Sequence, residues 1–117
     1  MKLGKKISGG KYNRSRGKKL CERPGQKKLV KIGEERRKVK RVRGGNKKNI
    51  LFSAKYVNIS GKKEKIQIKN VLETPSNRFL ARQNVITKGT IVETELGKVK
   101  VTNRPTQDGI VNGVLIE

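Results

Sequence analysis

Residues 49–57, NILFSAKYV, carry the clearest structural pattern in this chain. Ile50, Phe52, Ala54 and Tyr56 fall on one face of an extended segment, and the intervening positions fall on the other. Alternation with a period of two is typical of a strand that packs one side against a core. The pattern therefore predicts a β-strand whose aromatic side chains belong to the body of the protein.

The stretch that precedes this strand is strongly basic. Residues 34–43, EERRKVKRVR, set two valines among cations, and Gly44-Gly45-Asn46 follows as a turn signal. We predict a basic strand that enters a glycine turn. An Arg guanidinium can hold two phosphate oxygens at once, whereas Lys acts as a point charge. The element favours contact with RNA, and the alternative is a plain hairpin turn with solvated charges.

The residues after the central strand are rich in apolar side chains suited to strands. Sixteen of the 26 apolar residues beyond position 49 are Val or Ile. The chain signals predict a strand over 65–72, one or two helical turns over 77–84, a hairpin of 90–96 and 98–102, a reversal over 105–109 and a last strand over 110–116. Closing these strands into a barrel would remove the aggregation-prone edges of an open sheet. We expect an all-β fold, a small six-stranded, mostly antiparallel β-barrel with an extended basic N-terminal tail.

Charge divides the chain into two unequal parts. The first 49 residues hold 20 of the 31 Lys and Arg against three acids, and the remainder holds 11 cations against six acids. So dense a positive field repels itself unless a polyanion neutralises it, and nucleic acid is the commonest cellular polyanion. The composition predicts a protein that binds phosphates.

Residues 1–33 have too few apolar side chains to build a core, and glycines interrupt any helical or strand period. Ordering costs about 1–2 kcal/mol per residue, so order must come from a partner. We expect residues 1–33 to be a basic RNA-binding extension that is disordered when free, and residues 34–117 to form the barrel body. A simple flexible tail is the alternative.

Within the extension, Gly4 to Lys11 comes near a phosphate-binding P-loop, but its Lys falls one position late and no Ser or Thr follows. Bare backbone amides at Ser8-Gly9-Gly10 can still approach a phosphate. The predicted RNA-binding residues are Lys5, Lys6, Ser8, Gly9, Gly10, Lys11, Tyr12, Arg14, Arg16, Lys18, Lys19, Arg23, Lys27, Lys28, Arg36, Arg37, Arg41, Arg43, Asn46, Lys47 and Lys48.

Several classes of chemistry are excluded by composition. The chain has no His and a single cysteine, Cys21, so histidine-based catalysis, an intramolecular disulfide and a Cys-based zinc site are ruled out. Glu93 and Glu95 are expected to share a strand face. The alternative is a carboxylate pair or a pair of Mg²⁺ ligands, and we interpret them as solvated surface acids. We predict no catalytic residue, no metal site and no cofactor. Without a long apolar run or a secretory signal, the protein is expected to be soluble and intracellular.

The landmarks together resemble protein eight of the small ribosomal subunit, the family found in archaea and eukaryotes. The motifs that carry the resemblance cover nearly the whole chain and are KISGG at 6–10, the basic stretch 14–25, RVRGGN at 41–46, VNIS at 57–60, NVITKG at 84–89, ETELG at 93–97 and VTNRPTQDGIVN at 101–112. Ser8 stands where the family often has Thr. Eukaryotic members carry a later insertion that this chain lacks, so it resembles the archaeal form.

The resemblance implies a cytoplasmic, non-enzymatic constituent of the small ribosomal subunit, with a β-barrel body and an extension ordered on ribosomal RNA. It implies small-subunit rRNA and neighbouring ribosomal proteins as partners, a monomer within the ribosome and no membrane contact. Three alternatives remain, a ribosome-biogenesis factor of a related branch, a DNA-compacting architectural protein and an enzyme. The predicted elements offer no helix to enter a DNA groove and no apolar wedge to kink a duplex.

Overall fold

Short strands account for most of the regular structure. The computed structural model describes residues 4–13, 15–61 and 65–116. The strands are β1 (Val30–Ile32), β2 (Arg36–Arg41), β3 (Lys47–Ala54), β4 (Tyr56–Ile59), β5 (Lys65–Glu73), β6 (Val85–Ile86), β7 (Ile91–Thr94), β8 (Gly97–Val101) and β9 (Asn112–Ile116). The helices are α1 (Arg78–Arg82) and α2 (Pro105–Asp108), with 3₁₀ turns at Leu20–Glu22 and Arg43–Gly45.

Four of the strands form an open sheet in the order β2-β3-β1-β6. β2 and β3 make an antiparallel hairpin, whereas β1 runs parallel to β3 and antiparallel to β6. Val30 of β1 is fully buried and belongs to the core. Strand β1 therefore lies inside the body sheet, although sequence analysis assigned residues 30–32 to the extension.

The other five strands close a barrel in the order β4-β5-β7-β8-β9. Closure depends on β4, which pairs antiparallel with β5 and parallel with β9. A Cβ on Gly113 would lie 2.4 Å from Cγ1 of Val99, so β8 and β9 approach closely because that position has no side chain. The β-rich class and the barrel are confirmed, but the predicted six-stranded barrel is wrong: the described residues place five strands in the barrel and four in a separate sheet.

One hydrophobic core serves both assemblies. It is filled by small branched side chains from the sheet and from the barrel, and this β-branched content is what the strand-rich composition predicted. The buried cluster consists of Val30, Leu51, Ala54, Val57, Ile59, Ile66, Ile68, Val71, Ile86, Val92, Val99, Val101 and Val111.

The predicted single strand over 49–57 is interrupted at Lys55. There the chain leaves the open sheet and enters the barrel, and the Lys55 carbonyl accepts a hydrogen bond from the Ile68 amide at 2.9 Å. The regular alternation is lost, so Leu51 and Val57 are buried while Phe52 and Tyr56 are 37% and 42% exposed. The prediction that these two aromatics pack in the body is wrong. Tyr56 follows the point at which the chain changes sheets, and Phe52 lies at a shift in the β2–β3 pairing.

The remaining predicted elements are found close to where the sequence placed them. The basic strand corresponds to β2, the third strand to β5 with Ile66 and Ile68 buried, and the hairpin to β7 and β8. The predicted helical turn corresponds to α1, whose first amides are capped by the Asn77 side chain, which accepts from the Phe79 amide at 3.0 Å.

None of the described residues before Val30 is buried. The Cα radius of gyration is 20.6 Å, whereas a compact chain of this length has roughly 13 Å. The principal extents are 67 × 35 × 26 Å. The described residues before Val30 thus extend away from the core, where their cations are accessible.

Gly109 ends α2 and sets the distance of α2 from β3. Its φ is 76°, and a Cβ there would lie 2.8 Å from the Cβ of Asn49, whereas Gly89 has φ 83° and open space around it. We expect Gly109→Ala and Gly89→Ala each to lower the free energy of unfolding by about 1–2 kcal/mol, because a residue with a Cβ is strained in the left-handed conformation. Gly109→Ala should lose about 1–3 kcal/mol more by overpacking. Urea unfolding measures both variants. Equal decreases in their free energies of unfolding would show that the close approach of Gly109 to Asn49 is not needed.

Candidate nucleic-acid interface

The β2–β3 hairpin presents the densest array of cations held by regular structure. Every residue of β2 is exposed, as are Lys47 and Lys48 at the start of β3. Lys40 lies opposite Lys48, and Arg41 lies opposite Lys47. Like charges directly across a strand pair are destabilising. A phosphate group placed between such cations would replace this repulsion with attraction.

The turn of this hairpin is held by backbone geometry and leaves its cations free of bulky neighbours. Gly44 and Gly45 both have φ 81°, a conformation that glycine adopts without strain. The Val42 amide donates to the Asn46 carbonyl at 2.8 Å and closes the turn. Arg41 and Arg43 flank it and are exposed. The structure therefore brings together the predicted residues Arg36, Arg37, Arg41, Arg43, Asn46, Lys47 and Lys48.

The predicted residues of the extension are spread along its length. Lys5, Lys6, Ser8, Gly9, Gly10, Lys11, Tyr12, Arg16, Lys18, Lys19, Arg23, Lys27 and Lys28 are all exposed, and Arg14 lies outside the described residues. Residues 6–10 form a small turn in which the Lys6 amide donates to the Gly10 carbonyl at 2.9 Å. Lys6 Nζ lies 5.7 Å from the ring centroid of Tyr12.

Two of the predicted cations contact carboxylates of their own chain. Arg16 donates to Glu22 at 2.8 Å, and the Lys19 amide donates to the same carboxylate at 3.1 Å. The Arg16 guanidinium, and then the Lys19 amide, hold the pKa of Glu22 below its usual value. Arg37 forms an ion pair with Glu35. Among the described residues, Arg16 and Arg37 would thus have to exchange a carboxylate for a phosphate.

Three aromatic side chains of the body are exposed, and for Phe52 and Tyr56 this contradicts the predicted packing. Phe79 is 66% exposed, and Phe52 and Tyr56 are more than one-third exposed. Arg82 Cζ lies 5.9 Å from the Phe79 centroid, and Lys55 Nζ lies 5.7 Å from the Tyr56 centroid. A cation close to an accessible ring suits a nucleobase or sugar. In the sequence, Lys55 directly precedes Tyr56, and Arg82 follows Phe79 by three positions.

Four further cations, absent from the predicted set, lie beside it in the fold. Lys38 and Lys40 lie on β2 among predicted residues and are exposed. Lys88 and Arg104 come from the weakly charged half of the chain, yet they line a cleft together with Lys28. Only the tertiary structure joins these last two to the basic surface.

Other kinds of site find little support in the described part of the chain. It contains no group of three or more His, Cys, Asp or Glu side chains able to hold a metal ion. None of the helices in residues 4–13, 15–61 and 65–116 is long and apolar enough to cross a membrane. Glu93 lies on β7, but Glu95 lies in the following turn, so the two do not share a strand face.

Comparison with known proteins gives consistent matches over nearly the whole chain. The family model described as ribosomal protein S8e matches residues 2–116. A protein of Nanoarchaeum equitans named small ribosomal subunit protein eS8 is 48% identical over 115 residues, which cover 95% of this chain and 91% of the relative.

Proteins with the same name show similar identity in other archaea. The protein of Staphylothermus marinus is 49% identical over 118 residues, covering 97% of this chain and 92% of the relative. The protein of Methanocorpusculum labreanum is 43% identical over 117 residues, covering 97% and 94%. These matches confirm the family resemblance that the sequence motifs indicated. The chain therefore belongs to the ribosomal protein S8e family.

Proposed function

We propose that this protein binds and stabilises ribosomal RNA through phosphate-directed basic contacts, as a structural constituent of the small ribosomal subunit in support of translation. Membership of the S8e family supports a non-enzymatic, cytoplasmic component of that subunit. Its partners are small-subunit rRNA and neighbouring small-subunit proteins, and it acts as a monomer within the ribosome. The observation that carries the RNA assignment is the exposed hairpin in which cations lie opposite cations.

The chemistry of these residues favours recognition of backbone over sequence. Double-stranded RNA hides its base edges in a deep, narrow major groove, so proteins read it through shape, phosphates and 2′-hydroxyls. Lys and Arg make these contacts without base specificity. The extension supplies exposed cations along its length, and the hairpin supplies cations at fixed spacing. Together they are suited to neutralise neighbouring rRNA helices and hold them in place.

The hairpin's share is tested with Arg41→Ala combined with Arg43→Ala. Both side chains are exposed, so the free energy of unfolding should change by no more than about 0.5 kcal/mol. Two lost phosphate contacts should weaken binding of a small-subunit rRNA transcript and reduce the slope of log affinity against log salt by about two. Filter binding at several salt concentrations and thermal unfolding measure the two effects.

A matched control removes the same charge elsewhere. Lys98→Ala combined with Lys100→Ala takes two exposed cations from β8 of the barrel. We expect it to leave most of the binding intact. A large fall in melting temperature for the hairpin variant, with unchanged RNA affinity, would show that Arg41 and Arg43 support the fold instead. Equal binding of duplex DNA and structured rRNA by the unmodified chain would favour the architectural DNA-binding alternative.

A further inference from the structure

Two clefts meet between the β2–β3 hairpin, the residues just before β1 and the reversal that contains α2. The larger has a volume of about 370 Å³ and the smaller about 180 Å³. Lys28 and Thr106 line both clefts, so the two clefts adjoin, and we treat them together as one groove. We call it the basic groove and define it by Lys28, Lys40, Lys48, Lys88, Arg104 and Thr106.

The basic groove combines an apolar floor with a cationic rim. Val42 lines the larger cleft and is 37% exposed, and Leu29 lines the smaller one and is 38% exposed. The other apolar lining residues are buried and are Ile50, Val30, Ile86 and Pro105. All the charged side chains among its described lining residues are positive. Half-buried hydroxyls of Thr87 and Thr106 add polar groups. Such a surface fits an elongated ligand that alternates negative groups with less polar faces.

The walls of the groove are fixed by packing between distant parts of the chain. Lys48 Nζ donates to Gln107 Oε1 at 3.2 Å, which links β3 to α2 and orients the ammonium. The close approach of Gly109 to Asn49 sets α2 against the same strand. The buried Val30 holds the residues that follow Lys28 in the sheet. The cations therefore reach the groove on a rigid frame, which lowers the entropic cost of binding.

We propose that the basic groove binds the sugar-phosphate backbone of an RNA strand, with Lys88 and Arg104 as phosphate-binding residues beside Lys28, Lys40 and Lys48. This inference rests on the proposed RNA binding and locates one part of it on the body. Phosphates would lie against the cations, and ribose would lie over the apolar floor with its hydroxyls near Thr106. An acidic peptide matches the charge but offers no ribose hydroxyls, so RNA is the better fit.

The groove also explains how the extension and the body act together. Lys28 belongs to the N-terminal segment, Lys40 and Lys48 to the hairpin, and Lys88 and Arg104 to the second half of the chain. An RNA strand in the groove would touch all three segments at once. It would fix the point from which the extension leaves the body and so direct the extension along the same RNA.

The test uses the full chain and a uridine decanucleotide as the probe, followed by NMR and fluorescence anisotropy at low salt. We expect shifts in the amides of residues 28, 40, 48, 86–88, 104, 106 and 107. Lys88→Ala combined with Arg104→Ala should weaken binding about tenfold and lower the salt slope by about two. The matched pair Lys98→Ala and Lys100→Ala should change affinity less than about threefold. Lys88→Gln alone serves if the double variant fails to fold.

Each other outcome counts against a specific part of the account. Equal weakening by the two double variants would mean that net charge alone matters, and the groove would not be a site. Shifts at residues 41–46 without shifts at 86–88 and 104–107 would retain RNA binding at the hairpin and reject the groove. Displacement of the decanucleotide by an equimolar deca-glutamate peptide would reject an RNA site. Failure of the unmodified chain to bind any RNA would contradict the proposed function itself.

Discussion

A variant that begins at residue 34 is expected to lose its open sheet, whereas one that begins at residue 26 is expected to fold as the full chain does. The difference is β1, which lies between β3 and β6 and buries Val30 completely. Burying a Val contributes about 1.5–3 kcal/mol. Each buried backbone group left without a partner costs about 1–3 kcal/mol more.

A loss of about 4 kcal/mol should lower the melting temperature of so small a domain by roughly 15–30 °C. Circular dichroism on thermal unfolding measures it, and amide exchange shows where protection is lost, with β3 and β6 affected first. Val30→Ala is the matched single change and should give a smaller decrease. If the variant beginning at residue 34 melts with the full chain, the sheet does not depend on β1.

Local sequence signals predicted most of the strands but not how they are joined. The basic strand β2, the glycine turn and the β7–β8 hairpin follow from alternation and turn residues a few positions apart. Strand β1 is only VKI between basic and glycine residues, and it is stabilised by a parallel partner more than 20 positions away. Three residues are too few to show a hydrophobic period, so the sequence of β1 cannot reveal such pairing. The same limit hid the separation into a sheet and a five-stranded barrel.

The failed alternation over 49–57 has a related cause. In the sequence, Ile50, Phe52 and Ala54 alternate as the residues of one strand face do. In the structure, the pairing of β3 with β1 and β2 determines which of these side chains point inward. The pairing of β2 with β3 shifts between Arg36 and Arg37, beside Phe52. A β-bulge redirects side chains locally. Phe52 consequently becomes partly exposed, although its sequence position predicted burial.

The candidate site was predictable where charge is dense along the chain. The hairpin cations stand within a few residues of one another, so composition alone identified them. Lys88 and Arg104 are isolated cations in a weakly charged half, and only folding places them near Lys28. A sequence shows where cations are concentrated along the chain. A groove built from three separate segments depends on packing between distant parts of the chain, which the sequence does not show.

The second large effect concerns the extension's share of RNA affinity. A variant that begins at residue 26 retains the body and the basic groove but lacks most of the exposed cations before β1. If about six to eight of those cations contact phosphates, their removal should reduce the slope of log affinity against log salt by roughly 4–7. Affinity at low salt should fall steeply, because each neutralised phosphate releases counterions.

Charge and chain length are separated by a full-length control. Replacing Lys5, Lys6, Lys11, Lys18 and Lys19 with Gln keeps the extension but removes five cations. This variant should lose roughly 4 units of the slope without any change in the melting temperature. A variant that keeps its slope would show that the extension binds through its backbone or through Tyr12.

The most direct measurement is therefore the salt dependence of binding to a small-subunit rRNA transcript, compared between the full chain and the variant beginning at residue 26. We expect a steep dependence for the full chain and a weak one for the truncated, folded body. Identical affinity and identical slope for the two proteins would contradict this expectation, because the body alone would then carry recognition and the cations before residue 26 would have no part in binding.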